Sequence, residues 1–304
     1  MKIMKFGGSS VGSAQNILRV ADIIKDHSSG GHVVVVVSAM RGVTDTLIDV
    51  YNFYKDGRYA DAYEGLNSLY TLHLETLAGL KLKREMYEET HEKLVGLFGR
   101  LITCLTFKRG LADCGYDYVV SFGERLSCIL LSAVLQHIKV RAREVDSAEL
   151  ILLSNESGNY KVSLEETREM TEQLIYKLIF KGVTPVVTGF YGGTKDGKVV
   201  TLGRGGSDYT ATILAYALDA SEVVLWKEVD GIFTGDPKKG NNAKFIAEIS
   251  YVDALDMAQK GAKVLHPQAL KPVAEKEITV WVKNTFRPEF AGTKIWKGVK
   301  NAQD

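Results

Sequence analysis

The sequence predicts an α/β fold in which an open, mainly parallel central sheet has helices on both faces. The run GGHVVVVVSAM at residues 30–40 is continuously apolar and β-branched, as is typical of a strand buried on both faces of a parallel sheet. Segments with helical spacing alternate with strand-like segments along the chain. Loops rich in glycine and serine follow several predicted strands, at the edge where open α/β sheets bind ligands.

The first elements form a βαβ unit. Residues 1–6 are predicted to be a strand, residues 7–10 a loop and residues 11–26 a helix, and the valine run is the second strand. Residues from about 45 to about 115 have helical spacing and contain no proline. They are therefore predicted to be a helical insertion that packs beside the sheet.

The rest of the chain continues the alternation of strands and helices. The predicted elements are strand, loop and helix over 116–136, strand, loop and strand over 140–154, a helix over 164–181, two strand segments around a turn at 195–197, a helix over 207–220, a strand over 222–229, a helix over 250–262 and a last strand over 278–285.

Composition excludes several classes of protein. The chain has 304 residues, of which 45% are hydrophobic and 25% charged, as in ordinary soluble globular proteins. A net charge of +1 attracts neither nucleic acid nor acidic membranes. The longest apolar candidate for a membrane span, residues 32–37, is only strand-sized. We therefore expect no nucleic-acid partner and no membrane partner.

Cysteine usage favours a reducing compartment. The three cysteines, Cys104, Cys114 and Cys128, form no CxxC pair. The N-terminal residues contain no apolar stretch typical of a signal peptide. Both observations indicate a cytoplasmic location.

The loop MKFGGSSVGS at residues 4–13 is the first candidate binding site. Gly7 and Gly8 allow backbone N–H groups to approach an anion, Ser9 adds a hydroxyl, and Lys5 supplies a point charge for a phosphoryl group. The alternative is a plain turn between a strand and a helix, and the spacing alone leaves both interpretations open.

Two further loops carry polar groups that have equally simple structural explanations. Thr44, in SAMRGVTD, offers a hydroxyl to a ligand or begins the next helix. Glu124, in SFGERLS, could hold the amine of a substrate, or could be an acid favoured by the dipole at a helix start.

The loop TLGRGGSDYTA at residues 201–211 favours a functional interpretation. Arg204 has the fork geometry that grips a carboxylate, and Ser207 and Asp208 precede a predicted helix. Asp208 could orient cationic groups or cap that helix. Further along, Lys263 could complement a helix C-terminus or serve as a second phosphate lysine.

Seven motifs occur in a fixed order: KFGGSSV, VSFGERLS, TGFYGGT, TLGRGGSDYTA, VDGIFTGDP, GAKVLHP and KNTFRPEFAGTKI. This set resembles the catalytic domain of the aspartate kinases, within the amino-acid kinase superfamily, from Lys2 to about Ile295. The resemblance implies the amino-acid kinase fold and transfer of the γ-phosphoryl group of ATP to the side-chain carboxylate of L-aspartate. The product, 4-phospho-L-aspartate, begins the synthesis of lysine, threonine and methionine.

The resemblance also implies domains and partners. Residues 1–304 would be one catalytic domain, with an aspartate-binding lobe over about 1–200 and an ATP-binding lobe over about 201–297. Mg²⁺ would be bound through the ATP phosphates, with no protein metal ligands, and the chain would form a homodimer.

Site residues follow from the same motifs. The implied catalytic residues are Lys5, Asp208 and Lys263; the implied aspartate-binding residues are Thr44, Glu124, Arg204 and Ser207; and the implied nucleotide-binding residues are Gly7, Gly8, Ser9, Lys227, Glu228, Asp230, Phe233 and Lys238.

The chain departs from the family pattern on the nucleotide side. Lys227 and Glu228 stand where the family usually has Thr and Asp, Phe233 replaces a Tyr, and Lys238 replaces an Arg. The family's usual ACT regulatory domains are expected to be absent, either because this is an excised domain or because the enzyme is naturally short. The alternative functions are a kinase of another small carboxylate or carbamate on this fold, and a non-catalytic nucleotide- or amino-acid-binding subunit.

Overall fold

The computed structural model describes residues 1–106, 110–156, 158–235, 243–260 and 265–298, with the backbone alone at 110–114. The strands are β1 (Lys2–Phe6), β2 (Val33–Val37), β3 (Ala142–Val145), β4 (Leu153–Glu156), β5 (Asn159–Val162), β6 (Thr184–Thr188), β7 (Tyr191–Gly193), β8 (Val199–Thr201), β9 (Glu222–Lys227), β10 (Ile232–Phe233), β11 (Phe245–Ile246), β12 (Glu248–Ser250), β13 (Thr279–Asn284) and β14 (Thr293–Trp296).

The helices account for most of the remaining described chain. They are α1 (Ala14–Ser28), α2 (Val43–Lys55), α3 (Tyr59–Gly79), α4 (Arg84–Thr106), α5 (Gly110–Val120), α6 (Phe122–His137), α7 (Leu164–Ile179), α8 (Gly206–Ala217), α9 (Tyr251–Gln259) and α10 (Pro267–Glu275), with a short 3₁₀ turn at Ser147–Glu149. Helices α2 to α5 occupy the segment predicted to be a helical insertion.

An eight-stranded sheet organises the fold, in the order β12-β14-β13-β9-β1-β2-β6-β3. All neighbouring pairs are parallel except β13 and β14, so the predicted open, mainly parallel sheet is confirmed. Strands from both predicted lobes lie in this one sheet, with β9 hydrogen-bonded to β1.

The valine run of β2 shows why both faces of the sheet are covered. Val35 and Val37 point into a core that contains buried residues of α1 and α6, whereas Val34 and Val36 point into a second core with α8 and α10. A strand whose side chains are apolar on both faces requires a layer of helices on each side. The prediction of helices on both faces is therefore confirmed.

The predicted strand at 116–120 is wrong, because these residues end α5. Val119 and Val120 are both fully buried, and so short an apolar run fits a buried helix as well as a buried strand. Helix packing overrides the strand preference of the tyrosines and valines here.

The prediction that no segment is long and apolar enough to span a membrane is also wrong. The helical stretch Gly115–His137 meets that criterion by length and composition. However, 83% of its most apolar window is buried within the fold, so it is explained as a core helix. Its second half, α6, packs against β2, β3 and β6 of the sheet.

Candidate active site

Loops that follow the central strands meet at the carboxyl edge of the sheet. The Gly7 N–H, after β1, donates to the Trp226 carbonyl of β9 at 3.3 Å. Gly8 lies so close to the loop after β2 that a Cβ there would be 2.8 Å from the Ala39 carbonyl oxygen. Only glycine permits this approach, which brings the two loops together.

Strand periodicity places two lysines on the same face of the sheet. Side chains alternate between the two faces of a strand, so Lys5 of β1 lies on the same face as Ile3, the face that packs against α8. Lys227, the last residue of β9, lies on that face together with Leu225. Helix α8 begins at this edge and carries Asp208 in its first turn. The three charged side chains therefore converge where β1, β9 and α8 meet.

Asp208 contacts both lysines with separate oxygens. Lys5 Nζ lies 2.7 Å from Oδ1, and Lys227 Nζ lies 2.7 Å from Oδ2. Lys227 donates a hydrogen bond to Oδ2. The Lys5 ammonium forms an ion pair with Oδ1, but the angles at this contact are not those of a hydrogen bond. The side chains of Lys5 and Asp208 are 8% and 7% exposed, and that of Lys227 is 20% exposed.

Burial and mutual attraction set the charge states of this cluster. Burial would raise the pKa of Asp208, but the charges of Lys227 and Lys5 outweigh it and hold that pKa well below its ordinary value. Burial lowers the pKa of Lys5, and the charge of Lys227 lowers it further, while Asp208 opposes both. The cluster therefore combines one carboxylate with two cations.

Backbone N–H groups lie on the loops next to these cations: a Cβ at Gly7 would be 3.6 Å from Lys5 Nζ. Among the described residues, nothing accepts a hydrogen bond from the N–H groups of Gly8 and Ser9. Helix α8 begins after Gly205, whose left-handed φ is 75°, and no side chain caps its N-terminus. Free N–H groups at a glycine loop and at a helix start form a favourable environment for an anion.

Glu124 lies in the first turn of α6 and is almost completely buried. Its Oε1 accepts a hydrogen bond from the Ala39 N–H at 3.1 Å, and its Oε2 has no partner in the described part of the chain. Burial raises the pKa of Glu124 to about 8, despite the Ala39 bond. An unpartnered buried carboxyl oxygen is suited to binding a cationic group.

The other residues predicted to bind aspartate lie on neighbouring loops. Thr44 is half-buried at the start of α2, and Ser207 is buried at the start of α8. A Cβ at Gly189, after β6, would lie 2.6 Å from the Ser207 Cβ, so Ser207 packs tightly against that loop. Arg204 is exposed in the loop before α8 and forms no ion pair or side-chain hydrogen bond with the described part of the chain.

The predicted nucleotide-binding residues are more scattered. Asp230 accepts hydrogen bonds from Asn284 at 2.7 Å and from Arg287 at 2.6 Å. Glu228 is exposed, and Phe233 packs edge-on against Phe245. Two predicted site residues, Lys238 and Lys263, lie outside the described residues.

Sequence reasoning missed the residues that hold these loops in place. The Ser10 and Thr285 hydroxyls are hydrogen-bonded at 2.7 Å, and the Thr285 N–H donates to the Lys227 carbonyl at 2.9 Å. The signal available was the Asn-Thr pair at the end of the last predicted strand. Its partner residues are distant in sequence, so spacing could not reveal the contacts.

No group of three or more His, Cys, Asp or Glu side chains within the described ranges could hold a metal ion. The acidic group nearest the lysines, Asp208, has both oxygens occupied by ammonium groups. The expectation that Mg²⁺ binds through ATP phosphates stays a prediction.

Comparison with known proteins places this geometry in a family. The sequence pattern of the amino acid kinase family matches residues 1–284. The chain belongs to the amino acid kinase family. As a member of that family, it has the predicted amino-acid kinase fold.

Relatives with similar sequences include aspartokinases. The chain is 36% identical over 299 residues to aspartokinase 1, chloroplastic, of Arabidopsis thaliana, covering 97% of this chain and 52% of that protein. It is 33% identical over 301 residues to lysine-sensitive aspartokinase 3 of Escherichia coli, covering 98% and 65%. The chain therefore spans between about half and two thirds of the length of these relatives.

A solved amino acid kinase structure has the same fold over nearly the whole chain. The crystal structure of E. coli aspartokinase III in complex with aspartate and ADP superposes with a TM-score of 0.89 at 31% identity. The superposition covers 99% of this chain and 65% of that one.

Proposed function

We propose that the chain is an aspartate kinase, which transfers the γ-phosphoryl group of ATP to the side-chain carboxylate of L-aspartate. The observation that carries this proposal is the buried Lys5–Asp208 ion pair next to the glycine loop, where no described residue accepts from the Gly8 and Ser9 N–H groups. Similarity to aspartokinases over 97% of the chain supports aspartate as the acceptor. The product would be 4-phospho-L-aspartate, which begins lysine, threonine and methionine synthesis.

The phosphate side of the reaction needs positioning and charge neutralisation rather than a covalent nucleophile. The Lys5 ammonium would stabilise the charge of the transferring group, and the Gly8 and Ser9 N–H groups would donate to its oxygens. Asp208 would hold Lys5, and Lys263 would be a second phosphate-side lysine. Because the acceptor carboxylate is already ionised near pH 7, no general base is required.

The aspartate side would use the polar groups that line the neighbouring loops. The free Oε2 of Glu124 would accept from the substrate's α-ammonium group. The exposed guanidinium of Arg204 would bind a substrate carboxylate by two parallel hydrogen bonds. The Thr44 and Ser207 hydroxyls would complete this subsite.

The nucleotide would lie along residues 226–238 and bring Mg²⁺ on its phosphates. Asp230, held by Asn284 and Arg287, would fix the shape of this segment. Residues 1–200 would then bind mainly aspartate, and residues 201–297 mainly ATP. A homodimer in the cytoplasm completes the proposal and rests on the resemblance to aspartate kinases.

Hydroxamate formation tests this function directly. We expect the purified protein to convert aspartate, ATP, Mg²⁺ and hydroxylamine into aspartyl hydroxamate, because hydroxylamine traps the acyl phosphate. Lys5→Met protein, purified in parallel, controls for aspartate kinases of the expression host. Product with glutamate but not aspartate would instead indicate a kinase of another carboxylate. ATP binding without product from any acceptor would indicate a non-catalytic subunit.

The carboxyl group of Glu124 predicts a pH dependence of aspartate binding. With a pKa of about 8, Glu124 is mostly protonated at pH 7 and must lose its proton to pair with the substrate ammonium. The KM for aspartate should therefore fall by about tenfold from pH 6 to pH 7 and by about fivefold from pH 7 to pH 8, and level off above pH 8. Steady-state kinetics at saturating ATP measures this slope.

Glu124→Gln should flatten that profile, since the amide does not titrate. Glu165→Gln is the matched control, because Glu165 is an exposed glutamate in the first turn of another helix, α7. Its profile should follow that of the wild type. A steep profile that persists in Glu124→Gln would assign the titration to another group.

A further inference from the structure

Lys227 occupies a place in the charged cluster that its predicted contact with the nucleotide does not explain. It is the last residue of β9, two positions beyond the Leu225 that pairs with Lys5 in the sheet. Its side chain reaches across this edge and donates to Asp208 Oδ2 at 2.7 Å. A lysine with only 20% of its side chain exposed is therefore held by a carboxylate, not by solvent.

The two lysines bind Asp208 in different ways. The Lys227 contact has hydrogen-bonding direction, whereas the Lys5 ammonium lies 2.7 Å from Oδ1 without that alignment. An aligned charge-assisted hydrogen bond fixes the orientation of the carboxylate plane. An ion pair without alignment keeps the Lys5 charge nearby but imposes less direction on it.

This difference matters for a cation that must serve an incoming phosphoryl group. If Lys5 were the one partner of Asp208, the whole negative charge of the carboxylate would attract the Lys5 ammonium. With Oδ2 already occupied by Lys227, the pull on Lys5 is weaker. The cluster also keeps a net positive charge beside the free N–H groups of Gly8 and Ser9.

We propose that Lys227 is a positioning residue, which fixes Asp208 by an aligned hydrogen bond and thereby leaves Lys5 able to turn toward the transferring phosphoryl group. This inference rests on the proposed function and adds to it a role for a residue that does not itself touch the reacting atoms. Because both ammonium groups contact the same carboxylate, the charge of Lys227 also acts on Lys5 directly. The charged groups facing Lys5 are Asp208 on α8, Lys227 on β9 and Glu124 on α6.

Kinetics of Lys227→Met tests the positioning role. We expect kcat to fall by about 10- to 100-fold, less than for loss of a direct donor to the transferring group. The KM for aspartate should change by less than about twofold. Lys227→Arg, which keeps the charge and the donors, should recover most of the lost kcat. Equal losses in both variants would overturn the proposal.

Lys283→Met provides the matched control. Lys283 lies on β13, which pairs with β9, and its ammonium lies over the Trp226 ring without contacting Asp208. Its kcat should stay close to that of the wild type. A loss as large as that of Lys227→Met would mean that any lysine on this edge has the same effect, which would overturn a specific role for Lys227.

NMR titration of ¹⁵N-lysine-labelled protein gives a measurement that needs no substrate. The Lys5 Nζ signal is assigned by its loss in Lys5→Arg. Because the positive charge of Lys227 lowers the pKa of Lys5, its removal in Lys227→Met should move the Lys5 midpoint to higher pH. An unchanged midpoint would overturn the coupling. This result stands even if the hydroxamate assay contradicts the proposed function.

Discussion

Lys5→Met is expected to lower kcat for aspartyl hydroxamate formation by about 100- to 1,000-fold. The Lys5 ammonium is a buried cation beside the Gly7–Gly8 loop, and methionine would remove its charge from the place where the phosphoryl group is proposed to lie. The KM for aspartate should change by less than about twofold, because the proposed ammonium and carboxylate contacts of the substrate are made by other residues. Steady-state kinetics with varied aspartate separates the two effects.

Lys2→Met is the matched control for this prediction. Lys2 begins the same strand, β1, and pairs with Glu222 at 2.8 Å at the opposite edge of the sheet. It is partly exposed, so its loss should leave kcat unchanged. A Lys5→Met protein with normal kcat would remove Lys5 from the mechanism. A loss confined to the KM for ATP would assign it to ground-state nucleotide binding.

Asp208→Asn is expected to cause the largest loss of stability, about 3–5 kcal/mol in the free energy of unfolding. The amide would leave Lys5 and Lys227 close together without a counter-charge in a buried site. Activity should be lost as well, since the carboxylate that pairs with Lys5 would be gone. Denaturant unfolding at pH 7 measures the stability change.

The pH dependence of that loss identifies its cause. Without Asp208, the pKa of Lys5 would fall further below its ordinary value, so the unfolded chain would bind more protons than the folded chain. Stability would then rise with pH, and the deficit of Asp208→Asn should shrink between pH 7 and pH 10. A deficit independent of pH would point to lost packing instead.

Asp219→Asn offers a control with a similar set of partners. Asp219 follows α8 and also contacts two cations, Lys276 and Arg168, but its side chain is 53% exposed. Exposed ion pairs contribute about 0–1 kcal/mol, so this change should cost little. The comparison separates the effect of burial from that of losing two ion pairs.

The sheet and its helical layers could be predicted because each signal was local. The valine run of β2 and the helical spacing around it are visible in a short window of sequence. Strands β10, β11, β12 and β14 were not predicted, since they are short and owe their pairing to partners elsewhere in the chain. The strand predicted at 116–120 was wrong because the strand propensity of tyrosine and valine does not show how the segment packs against the rest of the protein.

The candidate site was predictable as a set of loops but not as a geometry. The order of predicted elements indicated that Lys5 lies near the end of a strand and that Glu124 and Asp208 lie near the starts of helices, all at the carboxyl edge of one sheet. It gave no means of pairing Lys227 with Asp208, because this contact depends on β9 lying next to β1 and on α8 beginning beside both. Nor could the sequence show that the loop after β2 donates a hydrogen bond, from the Ala39 N–H, to only one of the two carboxyl oxygens of Glu124.

The central position of β1 has a consequence for how the chain folds. Ser10 contacts the Trp226 carbonyl and the Thr285 hydroxyl, which are 216 and 275 residues later. During synthesis, β1 emerges long before β9, which begins at Glu222, so the edge of β1 that pairs with β9 has no native partner until β9 has been made. Loop closure over such distances slows folding. The strand that carries Lys5 therefore has an unpaired edge until β9 joins the sheet.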